Sequence, residues 1–263
     1  MKHLMTRFGA FLMALVLLLG VSAAQADQLA DIQARGKLIV ATEGNWMPWT
    51  YVDETGTLTG FDVELSRLIA GKLGVEADFQ TAEWSALLAG MDGGRFDIVC
   101  NGVDYTPERA EKYDFSDPYV FTEIALVVRK DNEDIHTFED LAGKTAVNSP
   151  GSTYAQRAEK AGAKMIYAEA FGETVMNIVQ GRADATINAL GTVEEYFAEQ
   201  PDANVKIVLV QPGDPVCIPL RKTPESATLL EAINKILAEA RADGTLSELS
   251  VRFFGKDLTE AQE

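Results

Sequence analysis

The sequence is poor in the residues that carry covalent and metal chemistry. It holds two cysteines, Cys100 and Cys217, and two histidines, His3 and His136. They are scattered and show no metal-ligand spacing, so neither a metal nor a cofactor is expected. Each cysteine lies in an apolar run, DIVC and VCIPL, where an unpaired thiol packs as a small hydrophobe. Whether the two pair depends on geometry that the sequence does not carry. His136 stands alone in a polar stretch. Positive charge is scarce as well: 23 Lys and Arg face 40 Asp and Glu, a formal net charge of −17. Such a chain has no basic patch to neutralise phosphates, which argues against a nucleic-acid partner. Beyond the first 26 residues no apolar run approaches the roughly 20 residues that a spanning helix needs.

Residues 1–26 are built differently. Lys2 and Arg7 make a basic start, Phe11 to Leu19 is an unbroken apolar run, and Ala24-Gln25-Ala26 is a small-x-small cleavage site. That is the layout of a secretory signal peptide, which predicts a mature chain from Asp27 outside the cytoplasm. Without Lys2 and Arg7 the balance is 21 basic against 40 acidic residues, a net charge of −19. The 47% hydrophobic content excludes wholesale disorder.

The rest alternates strand and helix patterns. KLIVAT at 37–42 reads as a strand, and apolar residues at 61, 65, 68, 69 and 73 form a helical stripe. Strands are expected at 77–81 and 96–100 around a helix at 84–91. After a second apolar stretch at 124–129 the cycle restarts: strand 145–148, helix 153–161, strand 165–168, helix 173–180, strand 185–188. Strand 216–220 and helices 226–242 and 246–254 follow. This order predicts an α/β fold with mostly parallel sheets. Gly94–Asn101 and Gly181–Asn188 share the pattern G-R-x-D-x-x-x-N, each after an amphipathic helix. Ligands collect at the carboxyl ends of strands in open α/β sheets, so Asn101 and Asn188 are expected to face one cleft from opposite sides. Polar or Pro/Gly-rich segments at 128–132 and 210–215 read as two crossings between lobes. One lobe is then 27–128 with 216–263, and the other 133–209.

Taken in order, LIVATEGNWMP at 38–48, GFDVEL at 60–65, 94–101, TPER at 106–109, DFSDPY at 114–119 and RADGT at 241–245 resemble the extracellular solute-binding proteins of polar amino-acid ABC importers. NGV before TPER, STYAQRAEK and ATIN most resemble members that bind cystine and related amino acids. The resemblance covers the mature chain. It implies the two-lobed periplasmic binding-protein fold, type II-like, with two open sheets joined by a two-strand hinge. It also implies an amino acid as ligand, the membrane subunits of an ABC permease as partners, a monomer, and no catalysis. The same scaffold also serves cyclohexadienyl dehydratases and ligand-loaded adaptors of membrane sensors, and fold alone does not decide among these.

By resemblance Arg109 holds the ligand carboxylate, a task that suits the bidentate guanidinium fork. Ser149, Gly151, Ser152 and Thr153 precede or open a helix, whose first N–H groups favour an anion; Ser152 and Thr153 also suit the cap itself. Trp46, Trp49 and Trp84 are the aromatic candidates, and Glu43 a side-chain contact. Asn101, Gly102, Val103, Asp104 and Asn188 complete the expected set. In one respect the chain departs from the pattern. The second-lobe Asp that usually meets the ligand ammonium is replaced by Ala189, and an acid stands instead at Asp104. Asp104 is therefore the candidate ammonium partner and Glu43 the second acidic candidate, with capping of the turn into Thr106-Pro107 as the bland alternative for Asp104.

Overall fold

The computed structural model describes residues 27–261. The expected signal peptide, with Lys2, His3 and Arg7, lies outside the described residues. The chain begins with α1 (Gln28–Arg35), started by the Asp27 side chain, which accepts from the Leu29 amide, and stopped at Gly36 in the left-handed region. Next come β1 (Lys37–Thr42), β2 (Asn45–Trp46), β3 (Thr50–Val52), β4 (Leu58–Thr59), α2 (Phe61–Leu73), β5 (Glu76–Thr81), α3 (Trp84–Asp92), β6 (Ile98–Val99), α4 (Pro107–Lys112), β7 (Tyr113–Phe115) and β8 (Val120–Arg129). The second half holds β9 (Thr145–Asn148), α5 (Thr153–Lys160), β10 (Lys164–Tyr167), α6 (Phe171–Val179), β11 (Ala185–Ala189), α7 (Leu190–Glu199), β12 (Val205–Val216), β13 (Pro219–Arg221), α8 (Ala227–Ala242) and α9 (Thr245–Phe254).

Two lobes result. The first has a parallel sheet in the order β5-β1-β6, a three-stranded meander β2-β3-β4, and the antiparallel pair β13-β7. The second has one five-stranded sheet, β10-β9-β11-β8-β12, in which β8 runs antiparallel to both neighbours. Its apolar run is unbroken because both faces are covered. Ile124, Leu126 and Val128 enter one core with Leu141, Ala146 and Ile187, while Ala125 and Val127 enter the other with Phe171, Val175 and Val193.

This ladder moves the first crossing. Residues 128–132 do not connect the lobes; they turn at the far end of the second, where the Lys130 amide donates to the Asn204 carbonyl. An apolar strand looks the same in either lobe, and the polar VRKDN after it mimics a linker. The chain passes between lobes near Tyr119–Phe121 and Pro215–Ile218. There Val120 pairs with Val216 and Phe121 with Pro215. Tyr119, Val120 and Val216 belong to the first-lobe core, whereas Ile124 belongs to the second. Nor is 210–215 a loop: β12 runs through it, absorbing Pro212 and Pro215 at a register irregularity. Cys217 and Ile218 separate β12 from β13, so the single strand expected at 216–220 is two. Both cysteines are buried thiols that form no disulfide.

The repeated G-R-x-D-x-x-x-N pattern has a common structural role at its Asp. Asp97 accepts from the Ile39 amide at 2.7 Å and Asp184 from the Thr145 amide at 2.8 Å. Each carboxylate satisfies the entrance of the neighbouring parallel strand.

Candidate functional site

The carboxyl ends of β1 and β6 in one lobe face those of β9 and β11 in the other. Between them lies a small cavity. From the first lobe Glu43, Trp46, Trp84, Gly102 and Asp104 line it, and from the second Ser149, Ser152, Thr153 and Asn188, all expected from the sequence. Asn45, Tyr154, Glu169, Ala170 and Phe171 line it too and were missed. Glu169 to Phe171 follow β10 after a single residue, Ala168, so the strand-end rule that singled out Asn101 and Asn188 points to them as well.

The remaining expected residues stand behind the wall. Trp49 is fully buried: its ring stacks on Trp46 at 5.1 Å and meets Phe61 and Phe254 edge-on. Val103 is wholly buried among Ala41, Leu87, Met91 and Val99. Asn101 points inward, donating to Glu43 Oε2 at 2.6 Å and accepting from the Glu43 amide at 2.7 Å and from Thr42. The strand-end rule located Asn101 correctly but missed its side-chain direction; it orients Glu43 rather than lining the cavity. Gly151 contributes its carbonyl to a contact across the cleft.

The loop after β6 is held by its surroundings. Gly102 adopts φ +54°, and a Cβ there would lie 2.5 Å from the Trp46 ring, so only glycine lets the indole lie flat. The Gly102 amide donates to the buried Asp62, which also accepts from Tyr119 at the crossing. Burial pushes the Asp62 carboxyl up to about 7, against the pull of these hydrogen bonds.

Asp104 is not the cap of α4. Thr106 caps that helix, accepting from the Arg109 amide at 3.1 Å. The Asp104 side chain is buried, faces the cavity, and accepts from the Thr153 hydroxyl of the opposite lobe. Burial raises its pKa to about 6, although Thr153 and the Arg109 charge oppose the rise. Arg109 is buried too. It donates to the Asp104 carbonyl at 3.0 Å and, across the cleft, to the Gly151 carbonyl at 3.3 Å, with its guanidinium 5.4 Å from the Trp84 ring centre. A guanidinium has five N–H donors, so three stay available beyond those two bonds. Ser152 caps α5 by accepting from the Ala155 amide.

At the other side Glu43 is raised to about 7, first by burial and then by Glu169 and Glu83, with only the Asn101 hydrogen bond opposing. Glu169 Oε1 accepts from Ser85 of the first lobe at 2.7 Å. Trp46 Nε1 donates to Asn188 Oδ1 at 3.1 Å. Five named bonds or contacts thus join the lobes around the cavity through Trp46, Ser85, Asp104, Arg109 and, outside, Lys160 with Glu108. The lobes are closed.

The family model for bacterial extracellular solute-binding proteins, family 3, matches residues 38–256. The chain belongs to that family. It is 36% identical over 236 residues to a probable amino-acid ABC transporter-binding protein of Haemophilus influenzae, covering 89% of this chain and 91% of that one. To the L-cystine-binding protein TcyA of Bacillus subtilis it is 38% identical over 240 residues, 91% and 89% of the two chains. An ancestral arginine-binding protein solved with arginine superposes with a TM-score of 0.79 at 38% identity, over 84% of this chain and 99% of that one.

Proposed function

We propose that this chain is the solute-binding component of an ABC importer, holding a polar or charged amino acid between its lobes and handing it to the membrane permease. On this reading it works in the periplasm as a monomer after loss of residues 1–26, binds no nucleic acid, and catalyses nothing. The observation that carries the proposal is the interlobe cavity, walled by aromatic rings and polar groups from both lobes and closed by hydrogen bonds across it. A cleft of this kind binds by closing.

The amino-acid backbone fits one end of the cavity. The ligand carboxylate goes to the remaining donors of Arg109 and the N-terminus of α5, where Thr153 and Tyr154 open the helix. The ammonium goes to Asp104, which takes the part of the acid missing at Ala189. Without such a partner an ammonium buried here would cost several kcal/mol.

Calorimetry against the common amino acids, ornithine and cystine tests this. One-to-one binding of at least one of them, with the ligand recovered unchanged, is the expected result. A protein that binds none, or that converts what it binds, contradicts the proposal.

A further inference from the structure

One face of α5 is matched to acids beyond its own lobe. Thr153, Arg157 and Lys160 recur at i, i+4 and i+7 and so form one stripe along the helix. Each meets an acid. Thr153 donates to Asp104, Arg157 Nη2 lies 2.5 Å from Asp214 Oδ2, and Lys160 Nζ lies 3.8 Å from Glu108 Oε1. Asp104 and Glu108 belong to the first lobe, and Asp214 to the crossing strand β12. The Lys160 pair is largely exposed and contributes little. The Arg157 pair is partly buried, and it closes a ring.

The other side of that ring is backbone. Asp104 forms an antiparallel bridge with Val216, the Tyr105 amide donates to the Pro215 carbonyl at 2.8 Å, and the Cys217 amide to the Val103 carbonyl at 3.0 Å. The acid that meets the ligand ammonium is thus bound to the three residues that follow Asp214. Asp214 itself stands where β12 loses register with β8, between Pro212 and Pro215. Beside it Gly213 is pressed against the other crossing strand: a Cβ there would lie 3.1 Å from Thr122 Oγ1. From Asp104 the ring passes to Thr153, one turn along α5 to Arg157, across to Asp214, and back through 215–217. Its two side-chain links both belong to α5.

The ring also sets two acids near each other. Asp104 responds to Asp214, which disfavours its charge, and to Thr153, Arg109 and Arg157, which favour it. The remaining titratable groups that act with it are Tyr154 on α5 and Cys217, and burial holds both neutral, with Tyr154 well above its ordinary value and Cys217 pushed up to about 12.

We propose that Arg157 is a positioning residue for ligand capture: its pair with Asp214 holds α5 over the ammonium site at Asp104 and balances the second acid there. This rests on the amino-acid reading above and extends it to a residue that does not line the cavity. Loss of Arg157 frees α5 from the crossing strand and leaves Asp214 unbalanced beside Asp104. Loss of Asp214 frees α5 too, but removes the competing acid. The two losses therefore act alike on ligand release and oppositely on the pH at which Asp104 ionises.

Stopped-flow dissociation and calorimetry with the full mature chain test this, using as probe the tightest binder among the common amino acids, ornithine and cystine. At pH 8, release from Arg157→Gln and from Asp214→Asn is each expected to be about two- to fivefold faster than from wild type, the range for a partly exposed ion pair. The double variant should release no faster than the singles, because all three lose the same contact. Between pH 5 and pH 8 affinity rises as Asp104 ionises; the midpoint of that rise should move up in Arg157→Gln and down in Asp214→Asn. Ligand-free melting curves show that each variant folds, and each single variant supplies the pH test if the other does not. Unchanged release in both singles, additive effects in the double variant, midpoints that move the same way, or a fall in melting temperature with no change in release overturns the proposal and leaves the amino-acid reading intact. No binding of any probe overturns both.

Discussion

Glu43, Asp104 and Asp62 share one physical condition: burial lifts each carboxyl well above its ordinary value, to about 7, about 6 and about 7. Two opposite pH dependences follow. In the ligand-free protein these groups bind protons that the unfolded chain has already lost between about pH 4 and 7, so their contribution makes stability fall as pH rises through that window. Binding of a ligand ammonium runs the other way, because it needs Asp104 ionised, and the groups that act on Asp104 are Thr153, Arg109, Asp214 and Arg157. The melting temperature of the ligand-free protein should therefore be higher near pH 5 than near pH 8, while the increase produced by a bound amino acid should be larger near pH 8. Melting curves at both pH values check this, and a ligand-induced increase that is larger at pH 5 would contradict it. At this scale residue type was legible and side-chain direction was not. The departure at Ala189 and Asp104 was visible in the letters. That Asn101 turns inward depends on its bonds to Thr42 and Glu43 at the end of another strand, and that Trp49 lies beneath Trp46 depends on packing against Phe61 and, from the far end of the chain, Phe254.

The helices with sharp apolar stripes, such as α2, and the strand-end positions followed from periodicity alone. The elements at the crossings did not. β8 is apolar on both faces, and β12 passes through two prolines, so neither local pattern nor composition places them. What decides is the antiparallel pairing of β8 with β12, a contact between residues about 90 positions apart in sequence. Hinge closure concentrates its change in a few residues where two elements cross. Hydrogen exchange with and without ligand should change at Phe121–Glu123 and at Gly213, Asp214 and Val216, and should not change at Arg129–Asn132. Altered exchange at 129–132 with none at 121–123 would restore the crossing that the sequence alone implies. Arg157 on α5 pairs with Asp214 at 2.5 Å, which ties the second-lobe helix that faces the cavity directly to the crossing strand.

As a whole the molecule is two lobes whose parallel strand ends face each other, joined by a short stretch of paired backbone. That plan was legible from the repeated βα cycle and the paired G-R-x-D-x-x-x-N segments, since each lobe builds its sheet from local units. The closed arrangement was not legible, because it depends on bonds between lobes far apart in sequence: Trp46 to Asn188, Ser85 to Glu169, Thr153 to Asp104, Arg109 to Gly151. Those bonds surround a cavity lined by Asp104 and the opening residues of α5, with Arg109 held behind them. The most direct test of the account is a crystal structure of the protein with the amino acid it binds most tightly. The account predicts the ligand between Trp46 and Trp84, its ammonium on Asp104, its carboxylate at Arg109 and Thr153, and its side chain toward Glu43. A ligand bound outside the interlobe cavity, or one whose ammonium lies away from Asp104, would contradict it.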